Sequence, residues 1–258
     1  MSKPLLESIT PLILTYNEAP NLARCLAKLG WAENVLVVDS GSTDETLEIT
    51  RQHAHVRVVT RPFDNFANQC NFGLSQITSP WVLSLDADYE LSSALVYELA
   101  NLEEDPNGPA AYEAAFIYRI YGRPLRGTLY PSRKVLYLRE RAKYRNEGHG
   151  HRVDVAGDVA RLQGRIYHDD RKALSRWFGS QQNYAKAEAE FLLSVKPSEL
   201  SRNDKIRRMI WVAPPVVFLY TLIVKGCIFD GWPGWFYVLQ RTIAEAMIAL
   251  ELVDRKLR

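Results

Sequence analysis

The chain has 258 residues, 47% hydrophobic and 24% charged, with 32 Lys and Arg against 30 Asp and Glu and a net charge of +2. These values fit one large globular domain, or a domain with an appendage, and exclude a disordered chain, a collagen-like repeat and a disulfide scaffold. Cys25, Cys70 and Cys227 lie far apart with no Cys-x-x-Cys pair, which speaks against a zinc ribbon or redox motif and suits a reducing compartment.

Met1 to Ser8 carries charge and no apolar stretch, so no signal peptide is expected. Ile9–Tyr16 is a short apolar run that reads as a buried strand. Residues 19–29 place Leu22, Cys25, Leu26 and Leu29 at helical spacing. Asn34–Val38 reads as a second buried strand ending at Asp39. Ser42 with Glu45 three residues on resembles a hydroxyl-capped helix start, with the helix running to about His53. Val56–Val59, Trp81–Leu85 and the helical stretches Phe66–Ile77 and Ser92–Leu102 continue the alternation. This order predicts a parallel sheet with right-handed crossovers, in which ligands sit beyond the carboxyl ends of the strands.

Pro106–Pro109 breaks the pattern. Ala115–Tyr121, Val135–Leu138, Arg152–Val155 and Arg161–Tyr167 read as an antiparallel extension of the same sheet, and Leu174–Val195 as a helix. The expected organisation is a domain over residues 1–195, divided at 105, followed by C-terminal helices over 196–258.

Three strands end in acids gathered on one edge: Glu18, Asp39, and Asp86 with Asp88. Alternation places Asp86 and Asp88 on the same side of an extended backbone. Two hard oxygen ligands at a strand end suit Mg²⁺ or Mn²⁺, with phosphate oxygens completing the shell. Such an ion stabilises a departing nucleoside diphosphate as a Lewis acid.

The segments LILTYNEAPNL, VLVVDSGSTDETLEI, FANQCNFGL and WVLSLDAD resemble, in order and spacing, the motifs of family 2 glycosyltransferases with the GT-A fold. The later IYHDD and CIFDGWPGWFYVL resemble its bacterial branch acting on lipopolysaccharide core and surface polysaccharide. The resemblance implies a GT-A, Rossmann-like α/β sheet flanked by helices, and an inverting transferase using a nucleotide-sugar donor, expected to be UDP-linked, and Mn²⁺ or Mg²⁺. It implies that Thr15, Tyr16 and Glu18 line the nucleoside and that Asp39 lies near the base. Asp86 then lies near ribose and metal, Asp88 is the main metal ligand, and His168 completes the metal shell. Gln69 falls in the segment that approaches the donor. Cys70 stands where relatives often carry Lys or Arg, so that cationic contact is missing. Asn17 and Asp44 are as readily a turn former and a helix N-terminal carboxylate as donor contacts.

Inversion needs a general base on the acceptor side. The glycine-spaced segment from Asn146 to Asp154 reads as a tight loop and holds the candidates. His151 occupies the position where relatives carry a glutamate. Glu147 lies four residues earlier and is favoured slightly because a carboxylate is the family's habit; Asp154 is the third candidate. Beyond His168, one of Arg171, Lys172 and Arg176 would offset diphosphate charge, although Lys172 reads better as a solvated helix start.

Residues 196–258 hold ten Lys and Arg against six Asp and Glu. They include the 16 uncharged residues Met209–Val224, interrupted by Pro214 and Pro215. A full span needs about 20 residues. Trp211, Tyr220, Trp232, Trp235 and Tyr237 suit a bilayer boundary. Lys205, Arg207 and Arg208, with Arg255, Lys256 and Arg258, suit anionic headgroups. Residues 242–252 have apolar residues at helical spacing. The segment therefore reads as interfacial helices, peripheral or monotopic, on the cytoplasmic face of the inner membrane, against the alternatives of a soluble helical hairpin or a dimer interface. The expected partners are a nucleotide sugar, a lipid-linked glycan and the membrane surface, with no nucleic acid; oligomerisation stays open. Competing readings are a polyprenyl-phosphate glycosyltransferase, which needs no base, a nucleotidyltransferase, and a non-catalytic membrane-recruited adaptor.

Overall fold

The computed structural model describes residues 4–147 and 150–258, and of Glu147 and Gly150 the backbone alone. The chain divides into two compact units, residues 1–117 with 130–171, and residues 118–129 with 172–258. The first unit contains β1 (Ile9–Thr15), α1 (Ala19–Leu26), β2 (Val35–Asp39), α2 (Thr46–Arg51), β3 (Val56–Thr60), α3 (Phe66–Ser75), β4 (Trp81–Asp86), β5 (Tyr89–Leu91) and α4 (Ser93–Ala100). β6 (Ala111–Ile120) follows; its end, with the two-residue β7 (Arg123–Pro124) that pairs with it, belongs to the second unit. β8 (Arg133–Leu138), β9 (Ala142–Glu147), β10 (Gly150–Val155) and β11 (Val159–His168) complete the strands.

The main sheet has the order β3-β2-β1-β4-β8-β6-β11-β5. The first four strands are parallel, and β8 turns antiparallel to β4. The order in which the chain adds strands reverses at β1, with β2 and β3 on one side and β4 on the other, and such a switch point is where ligands bind beyond the carboxyl ends of the strands. Register aligns those ends: Thr15 faces Asp39, Asp39 faces Thr60, and Leu14 faces Asp86.

The parallel strands are apolar on both faces because both are covered. On one face Ile13, Val35, Val37 and Leu83 meet Leu22, Leu26 and Leu29. On the other, Leu12, Leu36, Val38 and Val82 meet Ala67, Cys70, Leu74 and Ile77. Each fully buried Leu, Ile or Val contributes about 1.5–3 kcal/mol of transfer free energy. Cys25 and Cys70 belong to these cores, and burial first of all pushes both thiols well up in pKa.

Three local expectations change. The helix after β2 starts at Thr46 rather than at a Ser42 cap, because the Ser42 hydroxyl donates to Asp39 and accepts from the Asn17 amide. The segment expected as a loop around Asn146–Asp154 is a separate two-stranded hairpin, β9 with β10, not part of the main sheet. Short β5, pairing with β11, fell below any sequence period.

The second unit contains α5 (Leu174–Ser194), α6 (Arg202–Arg208), α7 (Ala213–Leu219), a π-helical turn at Tyr220–Val224, and α8 (Gly231–Leu257). Helix α5 belongs here rather than to a domain ending at 195, because Ala189 and Leu192 pack with Ala249 and Leu252 of α8. Pro214 and Pro215 do not interrupt the apolar run. They sit in the first turn of α7, where the missing N–H costs nothing. The break comes later, at Gly226 with φ 73°. There the run from Ala213 to Val224 meets the run from Cys227 to Leu257 at 66°. Gly234 sits so close to the Cys227 carbonyl that a Cβ would lie 1.9 Å from its oxygen. Among the described residues no single helix is long and apolar enough to cross a membrane, although the bent pair is by length and composition.

Two aromatic and basic assignments in this unit are also corrected. Tyr237 is buried at 1% exposure, and its hydroxyl accepts from the Leu129 amide. Arg207 is clasped by Glu245 at 2.7 and 3.0 Å and by Glu188 at 3.0 Å. Tyr237 is thus closed off from the surface of this unit, and Arg207 is committed to two carboxylates. Trp232, Trp211 and Phe229 do stand open, at 86, 76 and 70% exposure.

Candidate active site

The loops after β1 and β2 are laced around Asp39. Its carboxylate is fully buried and accepts four hydrogen bonds: from the amides of Gly41 and Ser42, and from the hydroxyls of Thr15 and Ser42, at 2.6–2.9 Å. Four acceptances occupy the capacity of an ionised carboxylate. Asp39 therefore shapes the crevice floor from beneath. Asn17 holds a left-handed backbone, φ 54°, and its side-chain oxygen accepts from the Thr43 amide at 2.7 Å. The Asp44 carboxylate accepts from the amides of Ala19 and Thr46, joining the two loops. Tyr16 projects from this floor at 53% exposure.

Gln69 is also buried and braces this edge. Its amide nitrogen donates to the Ser40 hydroxyl at 2.9 Å and to the Arg61 carbonyl at 3.0 Å, and its oxygen accepts from the Arg61 guanidinium. Arg61 thus brings a cation to the edge from which Cys70 withholds one. It is paired with Asp64 at 2.8 Å, and the Asp64 hydrogen bonds hold that carboxyl well below the usual range. The Arg-Pro dipeptide just past β3 was the available signal for it.

Asp86 ends β4, and Asp88 lies one residue before β5. His168 ends β11, and its Nε2 lies 3.2 Å from Asp88 Oδ2, with the side chains only 13 and 12% exposed. The imidazole is boxed by the edges of Tyr89 and Tyr130, with ring centroids at 5.3 and 4.6 Å. The hydroxyls of these tyrosines bond each other. Burial before all else raises both phenols far above their ordinary pKa, so they stay neutral donors. Asp86 does not join the pair: among the described residues no three His, Cys, Asp or Glu side chains gather to hold a metal. A carboxylate beside an imidazole is nonetheless a donor set that Mn²⁺ or Mg²⁺ accepts, provided other oxygens complete the shell.

The segment carrying His168 is latched to α1 by residues that the sequence reading passed over. Asp169 is fully buried, and its amide donates to the Asp88 carbonyl at 3.1 Å. Arg24 reaches Asp169 Oδ2 at 3.2 Å, the Asp169 carbonyl at 2.9 Å and Glu90 at 3.0 Å. Buried Asn21 donates to Asp170 at 2.9 Å and to Glu18 at 3.0 Å. Arg171 closes on Asp169 at 2.7 Å, so it is committed to this latch rather than left for a diphosphate. The helical spacing around Arg24 marked only the apolar face of α1. Lys172 and Arg176 belong to the second unit.

Beside Asp86 opens a cavity of about 440 Å³, lined by Tyr89, Arg133, Tyr144 and His151 among others. The hairpin of β9 and β10 supplies His151. Its backbone is anchored by Asn71, whose side chain exchanges two 2.9 Å hydrogen bonds with the Tyr144 main chain in the manner of a neighbouring strand. His151 stacks on Phe66 at 5.4 Å. Desolvation lowers its pKa, Arg133 lowers it further, and Asp86 opposes them. These influences together favour the neutral ring. Asp154 is paired with Arg145 at 2.5 Å. The side chain of Glu147 lies outside the described residues.

A sheet of this order with acids along its carboxyl edge is the architecture of a GT-A nucleotide-sugar transferase. The fold matches a solved mannosyltransferase, PcManGT from Pyrobaculum calidifontis in complex with GDP-Man and Mn²⁺, with a TM-score of 0.55 at 15% identity, covering 99% of this chain and 90% of that one. The profile of Glycosyl transferase family 2 matches residues 12–157, and the chain belongs to that family of glycosyltransferases. Similar proteins include an uncharacterized glycosyltransferase of Rickettsia felis, 27% identical over 88% of this chain and 84% of its own length. Another is the lipopolysaccharide core biosynthesis glycosyltransferase LpsC of Rhizobium meliloti, 24% identical over 96% of this chain and 92% of its own length.

Proposed function

We propose that the protein is an inverting, metal-dependent glycosyltransferase that moves a sugar from a nucleotide-sugar donor to a lipid-anchored glycan in bacterial surface polysaccharide or lipopolysaccharide synthesis, working at the cytoplasmic face of the membrane. The observation that carries this is the contact of Asp88 with His168 at the sheet edge, in the same unit as the cavity that holds Asp86 and His151. Similarity to LpsC supports the acceptor class, and the fold shared with a GDP-Man- and Mn²⁺-bound enzyme supports the donor and metal classes.

Asp88 and His168 would hold the metal, which supplies Lewis-acid neutralisation of the diphosphate leaving group. Tyr16 offers an exposed ring to the nucleoside on the floor that Asp39 and Thr15 keep rigid. Glu147, whose side chain lies outside the described residues, stays the alternative base; in this reading His151 takes the proton of the attacking hydroxyl. Its neutral state suits a general base, and Phe66 holds the ring in place. The exposed Trp211, Phe229 and Trp232 of the second unit are suited to the bilayer interface. Thermal shift and donor hydrolysis with a panel of nucleotide sugars and Mn²⁺ test the reading. The wild type gains stability with one donor class, and Asp88→Ala and His168→Ala lose that gain while keeping the metal-free melting temperature. A wild type unmoved by every nucleoside diphosphate with Mn²⁺ would leave the non-catalytic adaptor as the better account.

A further inference from the structure

The cavity beside Asp86 holds a cation that the reaction described above does not use. Arg133, the first residue of β8, lines it together with Asp86 and His151. Its guanidinium carbon lies over the Tyr130 ring, 4.7 Å from the centroid. That ring is itself immobilised by its hydroxyl contact with Tyr89 and its edge contact with His168. Stacking on a fixed ring limits the rotation of the guanidinium and leaves its donors to the cavity.

Among the described residues no carboxylate forms an ion pair with Arg133. Glu113, the other acid of the cavity wall, is engaged by Arg161 at 2.6 Å. Lys134 and Arg152 line the same wall. With Glu113 engaged, Asp86 is the remaining carboxylate on a wall that also carries Arg133 and Lys134. A site made for neutral hydroxyls alone has no need of a pre-stacked guanidinium; a carboxylate or phosphate does, because the fork can bind two of its oxygens at once.

We propose that Arg133 recognises an anionic substituent, a carboxylate or a phosphate, carried by the acceptor. This rests on the reading that the cavity receives the acceptor. Arg133 is a specificity-determining contact here and takes no part in proton transfer.

The test is calorimetric binding of three small probes, glucuronate, glucose 6-phosphate and glucose, to the full chain and to Arg133→Gln and Arg133→Lys, with UDP and GDP plus Mn²⁺ titrated in parallel. The wild type binds one charged sugar at least tenfold more tightly than glucose, and the preferred probe tells carboxylate from phosphate. Arg133→Gln closes that gap, Arg133→Lys retains part of it, and nucleoside diphosphate affinity is equal in all three proteins. A wild type that binds charged and neutral sugars alike overturns the proposal. So does an Arg133→Gln variant that loses nucleoside diphosphate affinity while keeping the charged-sugar gap, since Arg133 would then serve the donor. Failure of both nucleoside diphosphates to bind, with the charged-sugar preference and its loss in Arg133→Gln retained, would sink the transferase reading and leave the anion site standing.

Discussion

Replacing Arg24 with Met tests whether the latch on α1 positions His168. Arg24 makes hydrogen bonds to Glu90, to the side chain and carbonyl of Asp169, and to Asn21 at 2.8 Å. Its removal leaves the fully buried Asp169 with Arg171 as its remaining cation. Breaking a buried pair from one side costs about 3–5 kcal/mol. Arg24 is 23% exposed and Arg171 still serves Asp169, so about 2–3 kcal/mol is expected. In a chain of this size that lowers the melting temperature by roughly 4–12 °C. Because Asp169 directly follows His168 and its amide is tied to the Asp88 carbonyl, the same change weakens Mn²⁺-dependent stabilisation by nucleoside diphosphate. Denaturant unfolding gives the first quantity and thermal shift with and without Mn²⁺ the second. A double-mutant cycle with Asp169→Asn should show strong coupling. Loss below about 0.5 kcal/mol, together with additivity in the cycle, would refute the reasoning.

Two further outcomes follow from the same geometry. His151 has a pKa below its ordinary value in the folded chain, so between that value and about 6.5 the unfolded chain binds the extra proton. Stability is therefore lost as pH falls below about 6.5. Unfolding free energies measured from pH 7.5 to 5 should decline less steeply for His151→Gln than for the wild type, and equal slopes would show that the ring is not desolvated. Trp211→Ser with Trp232→Ser removes two side chains exposed by 76 and 86%. The pair should abolish sedimentation with vesicles containing anionic lipid and leave the melting temperature within about 2 °C, as expected for surface changes. Unchanged sedimentation would count against interfacial binding.

Much of the first unit was written in local pattern. The strands of the parallel half are buried on both faces, so their apolar runs stand out between polar ends, and the acids past those ends follow from chain direction alone. Hence Asp39, Asp86 and Asp88 were legible by position. Their surroundings were not. That Asp39 is saturated by four donors, that Asp86 opens onto the cavity while Asp88 turns to His168, and that Arg24 and Asn21 of α1 hold the segment after β11 all depend on residues up to 150 positions apart. No periodicity records such pairings. Of the β9–β10 hairpin, the sequence pattern marks Arg152–Val155 as a strand but assigns it to the main sheet, because the alternation before it is short and broken by glycine.

The second unit shows the same division. Composition alone revealed an apolar, basic and aromatic tail. Which aromatics stay open and which are buried was decided by packing, since Tyr237 and Trp232 are equally suited to a boundary by type and differ only in what the bend at Gly226 places against them. Burial is a property of neighbours in space. The sequence by itself determined where chain segments begin, end and carry charge, and only the tertiary structure decided which of those charges meet.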